Sequence, residues 1–272
     1  MDKKKIFTFW EPENSLHGYL KACQRTWRKY LPDYEIINCN FKNLKEYIPE
    51  EIIQKIIYKK LPLPQQADCI RAWLLYLHGG YWLDNDTILT GRELLENIQQ
   101  YQCCMLGNPE AQSEINIGFI WAQKGSTIMK EWAEEMPKRV ANYKSYRRFK
   151  LFYQLFKYSE HKQRKHWGYF GNNIIDSIAE REKNLHILDK YQINTLLETE
   201  LINEQYQSPA ELYKNFYFKN LDFKKALDKN KGIICLHNSW TPSEYKKLSE
   251  KEFLNQNITL SNLLNYLLER ID

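Results

Sequence analysis

Apolar positions along this chain fall into short β-prone runs and into longer stretches at helical spacing. Ile6-Phe7-Thr8-Phe9-Trp10 is a short β-prone run closed by Glu11-Pro12. From Ser15 to Tyr30 the apolar residues Leu16, Tyr19, Leu20, Cys23, Trp27 and Tyr30 recur at helical spacing, with Ser15 as the expected N-cap. Pro32-Asp33 ends that helix, and Tyr34 to Ile37 reads as a second strand. This β-α-β order predicts a mostly parallel sheet with covering helices. Gln65 to Leu77 is a further helix, ended by Gly79-Gly80, after which the strand Tyr81-Trp82-Leu83 runs into Asp84-Asn85-Asp86. Strands are also expected at 103–106, 117–121, 185–188 and 233–236, and helices at 126–141, 146–158, 172–180 and 261–270. No repeat, low-complexity tract or Pro/Gly/Ser linker interrupts the series, so the reading is one α/β domain over residues 1–272.

Composition narrows the classes. The chain has 272 residues, 43% of them hydrophobic, which is enough for a sizeable core. Mean hydropathy is nonetheless −0.66, because many of the apolar residues are Tyr and Trp, whose rings with polar edges suit sugars and nucleotides as well as cores. Only 10 residues are glycine, with no G-x-G pair and no G-x-x-x-x-G-K, which removes the dinucleotide fingerprint and the P-loop. The apolar run at the N-terminus stops at Glu11, too short for a signal peptide, and nothing approaches the ~20 apolar residues of a membrane helix. Six cysteines without a C-x-x-C pair read as reduced thiols. The expected location is therefore the cytoplasm. A net charge of +5 is too small to argue by itself for nucleic acid.

The chemistry concentrates where a buried strand feeds two aspartates one residue apart. Ligands of open α/β sheets bind beyond the carboxyl ends of strands. Spacing of i and i+2 on an extended chain would put Asp84 and Asp86 on one side, where their charges repel unless a cation neutralises them. Hard ions such as Mg²⁺ or Mn²⁺ take one or two carboxylates together with substrate phosphates. A bare D-N-D triplet is more often a solvated turn. Its context differs: Asp68 and Arg71 lie three apart on the otherwise apolar helix that leads into the aspartates. Such a pair can be a surface ion pair of little worth, or an arginine holding substrate oxygens beside an acid that accepts sugar hydroxyl protons.

The run ADCIRAWLLYLHGGYWLDND resembles the DXD-motif sugar-binding region of retaining glycosyltransferases of family 32, related there to the glucosylating domains of large clostridial toxins. The segments KKIFTFW, TWRKYLPDYEI, INIGFIWAQKGS and CLHNSW fit the same family, so the likeness is spread from Lys4 to Trp240. The resemblance implies a single GT-A-type domain with a helical insertion, a UDP-sugar donor (UDP-glucose or UDP-galactose), a saccharide acceptor with a lipid-linked one among the options, and Mn²⁺ or Mg²⁺. Carried over by position, Asp84 and Asp86 are the DXD pair, and the metal set is Asp84, Asp86 and either His237 or Asn238. Asp68, Arg71 and Asn116 stand near the transferred sugar. Phe9 and Trp10 match the strand end that packs on the base, Trp82 the aromatic beside the donor, and Asn85 a donor-binding position. Asn238, Ser239 and Trp240 match the segment that closes over the diphosphate. Read without the family, Trp10 is a core aromatic, His237 a hydrogen-bonded structural residue and Asn116 a turn cap. Ala67 departs from the serine the family often carries there, and Gly168-Tyr169-Phe170-Gly171 from its usual Gly-Pro.

One further stretch shifts the charge picture. Between Lys138 and Lys165 ten Lys/Arg face Glu160 alone, interleaved with Phe149, Phe152, Tyr153 and Phe156 at helical spacing. A basic aromatic helical segment at about 138–167 suits an anionic membrane surface, a core-facing aromatic stripe, or a groove for an anionic lipid-linked acceptor. The expectation is a metal-dependent hexosyltransferase of capsule or surface-glycan assembly, peripheral at the inner membrane face, with no nucleic acid partner. A phosphatase of the haloacid-dehalogenase type is the rival enzyme, disfavoured by Ile88 where Thr or Val is usual. A non-enzymatic membrane or nucleic-acid module would leave the strand-end acids without a role.

Overall fold

A computed structural model of the chain describes residues 3–148, 168–193 and 208–270. The strands of the main sheet are β1 (Lys5–Phe9), β2 (Glu35–Cys39), β3 (Gly80–Leu83), β5 (Cys103–Asn108), β6 (Ser113–Ala122) and β7 (Leu185–Asp189). Their order is β2-β1-β3-β6-β5-β7, and only β6 runs against the others. The fold is thus α/β with a mainly parallel central sheet. A second, two-stranded sheet pairs β4 (Thr87–Leu89) with β8 (Ile233–Cys235), antiparallel.

Period-two alternation divides the strands between two apolar layers. Phe7, Trp82, Met105 and Ile120 face the first layer, covered by helices α3 (Leu63–His78), α5 (Thr127–Arg148) and α6 (Asn172–Ala179). Their neighbours Ile6, Tyr81, Cys104 and Phe119 face the opposite layer, which contains Trp27 and Tyr30 of α1 (Gly18–Tyr30). A third cluster joins Tyr19, Leu20 and Cys23 of α1 to Ile88, Ile234 and the C-terminal helices, among them Pro209–Tyr217 and Thr259–Glu269. Helix α1 therefore belongs to two layers, and Trp27, fully buried, donates its indole N–H to the Thr87 carbonyl at 2.7 Å.

Three expectations change in detail. Ser15 does not cap α1. Its hydroxyl donates to the Pro12 carbonyl at 2.7 Å and accepts from the Trp10 indole at 3.0 Å, closing a 3-10 turn over Glu13–Ser15, so α1 starts later behind His17. Strand β4, where no strand is expected, has only three residues, too few to show a pattern. Helix α5 is continuous past Pro137 to Arg148, where two helices were expected. The remainder of the basic segment, from residue 149 to residue 167, lies outside the described residues. No helix among the described residues is long and apolar enough to cross a membrane.

The α3–β3 junction is set by glycine. Gly79 and Gly80 hold φ of 68° and 98°, and a Cβ on Gly80 would collide with the Lys5 carbonyl of β1. Gly80→Ala is expected to lower unfolding free energy by about 2 kcal/mol or more in a denaturant titration. A loss below about 0.5 kcal/mol would contradict this account.

Candidate active site

Between the two sheets the chain makes one tight turn, and that turn is Asp84-Asn85-Asp86. The Asp84 amide donates to the Gly118 carbonyl of β6 at 2.7 Å, the last bond to the main sheet. Thr87 N–H closes on the Asp84 carbonyl at 2.9 Å, and Leu236 N–H takes the Asp86 carbonyl at 3.0 Å as the second sheet begins. The aspartates are therefore carried by a turn and not by the extended chain expected from their spacing. Both still line one cleft of about 590 Å³ beyond the carboxyl ends of β1 and β3.

Arg71 organises the inner wall. Its guanidinium lies 3.2 Å from Asp68 Oδ1 and 3.3 Å from Asp84 Oδ1, donates to the Ile117 carbonyl, and rests on the Trp82 indole at 4.6 Å. The Trp82 indole N–H donates to the same Asp84 oxygen at 2.8 Å. Close packing makes this possible: a Cβ on Gly118 would come within 2.7 Å of Asp84 Oδ2, and one on Gly171 within 3.1 Å of Asp68 Oδ2. Asn116 accepts the Gly118 N–H at 2.7 Å through Oδ1, which leaves its amide nitrogen to offer a ligand.

The opposite wall comes from the end of β8. Asn238 N–H donates to Asp86 Oδ2 at 2.8 Å, while its own Oδ1 accepts from the Tyr19 hydroxyl of α1. The His237 ring packs on Trp240 at 3.9 Å and edge-on to Tyr213 at 5.6 Å, and burial lowers its pKa, so the imidazole is neutral at pH 7.

Phe9, Trp10, Arg71, Asp84, Asn85, Asp86, Asn116, His237, Asn238 and Ser239 all line the cleft. Three expected contacts do not. Trp82 is 1% exposed beneath Arg71 and serves as its platform. Asp68, 8% exposed, sits behind the guanidinium rather than at the cavity wall. Trp240 packs under His237 and does not reach the cavity. Asn85 does line the cleft, but it spends its amide inside the protein, accepting from Gln24 and donating to the Phe9 carbonyl at 3.0 Å. His237 does not join the aspartates in a ligand cluster: among the described residues no group of three or more His, Cys, Asp or Glu could hold a metal. Residues not expected at the site from the sequence include Gly118, Gly171, Tyr19, Gln24 and Glu11. Only the glycines carried a signal, in the I-N-I-G and G-Y-F-G strings.

Electrostatics follow from burial. Asp68 is pushed up to about 6, mainly by burial, with Arg71 pulling it down and Asp84 adding to the rise. Asp86 rises to about 7 through burial and then the Asp84 charge, opposed by the N–H of Asn238. The folded chain thus holds protons that the unfolded chain, near the ordinary value of about 3.9, has released, and these groups cost stability as pH rises through about 4 to 7. Asp86→Asn keeps an acceptor for Asn238 N–H and removes the charge. In chelator its melting midpoint is expected to exceed that of the unmodified chain by about 3 °C or more at pH 8, with the gap narrowing at pH 5. A gap that does not widen with pH contradicts the assignment.

Comparison with known proteins places this geometry in context. Residues 1–231 match the family model described as capsular polysaccharide synthesis protein. The glycosyltransferase afumC of Aspergillus fumigatus is 22% identical over 161 residues, which are 49% of this chain and 39% of that relative, so the chain spans about two fifths of its length. Among solved structures, the glycosyltransferase GlyE of Streptococcus pneumoniae is 11% identical with a TM-score of 0.49, covering 100% of this chain and 61% of that one. The galactosyltransferase LgtC, crystallised with donor and acceptor sugar analogues, is 7% identical with a TM-score of 0.41, covering 98% and 97%. Because the family model takes in most of its length, the chain belongs to the capsular polysaccharide synthesis protein family.

Proposed function

We propose that the protein is a glycosyltransferase that moves a hexose from a UDP-sugar to a saccharide acceptor, with retention of anomeric configuration, during surface polysaccharide assembly. The observation that carries this reading is the Asp84-Asn85-Asp86 turn, which presents two carboxylates to a cleft at the strand ends. Family membership and the afumC match support a glycosyltransferase, and the resemblance to family 32 is what suggests the UDP-sugar donor and retention.

The residues present fit a hard divalent cation. Arg71 is shared between Asp68 and Asp84, and no side-chain ion pair to Asp86 forms among the described residues, so the turn has carboxylates to offer a cation. Two carboxylates leave the other coordination positions of Mg²⁺ or Mn²⁺ to water and phosphate oxygens. Asp84 and Asp86 would hold the ion, which, when bound, stabilises charge on the departing diphosphate.

The remaining roles belong to the chain. Phe9 and Trp10 offer ring surface for a base. The Arg71 guanidinium and the Asn116 amide nitrogen face the space beside Asp84, where they can donate to sugar hydroxyls. Asn238 and Ser239 close the opposite side and limit water, which would otherwise take the sugar. Asp68, pinned behind Arg71, is poorly placed to attack an anomeric carbon. Same-face substitution is therefore favoured: the acceptor oxygen–C1 bond forms as the C1–phosphate oxygen bond breaks, and the acceptor proton passes to the departing β-phosphate. A lipid-linked acceptor would set the reaction at the inner membrane face, where basic residues such as Lys144 are drawn to anionic lipid.

A panel of UDP-sugars scored for Mn²⁺-dependent transfer or donor hydrolysis tests the reading. Asp86→Ala is expected to reduce the rate at least about a hundredfold. UDP with Mn²⁺ is expected to raise the melting midpoint, and chelator to abolish the rise. Activity of Asp86→Ala near the unmodified rate, or a UDP response indifferent to chelator, refutes it.

A further inference from the structure

Helix α1 buries a glutamine that does not line the cleft. Gln24 is 3% exposed, and its amide nitrogen donates to Asn38 Oδ1 of β2 and to Asn85 Oδ1, each at 2.7 Å. An amide nitrogen has two N–H groups, so both are spent. Asn85, itself 6% exposed, passes the link on by donating Nδ2 to the Phe9 carbonyl at 3.0 Å. Gln24 thereby ties α1 to β2 and to the aspartate turn, and Asn85 extends the link to the end of β1.

The position of Asn85 gives this chain of bonds its meaning. It is the middle residue of the turn, flanked on both sides by acids that line the cleft. Fixing the central side chain as acceptor on one side and donor on the other holds the backbone of the turn, and with it the directions of Asp84 and Asp86. Packing alone does not call for glutamine here: a methionine would fill similar space without burying an amide that needs two partners.

We propose that Gln24 is a positioning residue of this site, holding the aspartate turn through Asn85. The bond to Asn38 steadies Gln24 itself, and the bond to Asn85 does the positioning.

Hydrogen exchange of the full chain, without nucleotide or metal, tests this independently of the activity. The amides of Asp84 and Thr87 are hydrogen-bonded and report on the turn directly. In Gln24→Met, exchange across residues 83–87 is expected to be at least about tenfold faster, with α3 and β6 unchanged. Asn38→Ala is expected to leave the turn at its original rate. Gln24→Met combined with Asn85→Ala is expected to exchange no faster than Asn85→Ala alone, since both remove the same link. Exchange at the turn that stays unchanged, a rise spread evenly over the chain, or additive effects in the double variant would overturn the proposal. Should Gln24→Met not fold, Gln24→Glu replaces it, keeping the shape while losing the donors, and is judged by the same outcomes. A second arm, which rests on the proposed metal-dependent transfer, titrates Mn²⁺ and expects about tenfold weaker binding in Gln24→Met. If the unmodified chain binds no Mn²⁺ while the exchange result holds, the metal reading fails and the role of Gln24 stands.

Discussion

One guanidinium divided between two carboxylates is the constraint on which this site depends. Arg71 is 5% exposed and lies between Asp68 and Asp84 at 3.2 and 3.3 Å. A buried ion is tolerated only with partners that offset its desolvation. Here they are two acids, a carbonyl and an indole face, drawn from α3, β6, β3 and the turn. Each has to sit where it does for the others to remain, which explains why glycine occupies the two closest approaches, at positions 118 and 171. The result is an arginine whose orientation is fixed before any ligand arrives, as electrostatic preorganisation requires.

The second constraint is topological. The chain leaves the main sheet at Asp84 and enters the small sheet at Thr87, so the acids stand at the seam of two hydrogen-bonded systems. A turn at a seam could move with either sheet. Three contacts oppose this: Gly118 grips Asp84 from the main sheet, Asn238 grips Asp86 from the small one, and Gln24 reaches the residue between them. Two of these trace back to α1, because Tyr19 also holds the amide of Asn238.

How much of this was legible in the sequence depended on range. Short apolar runs in β1, β3 and β5, alternating with helical stretches such as α1 and α3, announce an α/β sheet, since each pattern is local. The acids at 84 and 86 were equally visible, because a buried strand ending in two carboxylates is an exception that needs a reason. Burial depth was not visible. Trp82 and Asp68 fit ligand contacts by position, yet each is buried and supports Arg71, a choice made by side-chain packing across elements. The same limit hid Gln24, a polar residue of ordinary appearance whose partners lie 14 and 61 positions away. Short β4 and the competing hydroxyl of Ser15 show a smaller limit, that three residues carry no period and one hydroxyl has several local acceptors.

Helix α1 packs with Trp27 in one apolar layer and with Tyr19, Leu20 and Cys23 in another. A rod shared by two layers transmits strain between them, because neither can shift without dragging residues packed in the other. The layers are thereby denied independent melting, and the C-terminal helices become part of the mechanical frame of the aspartate turn. A ligand that clamps the cleft would be felt as stiffening in those helices, and a lesion in them as slackness at the acids.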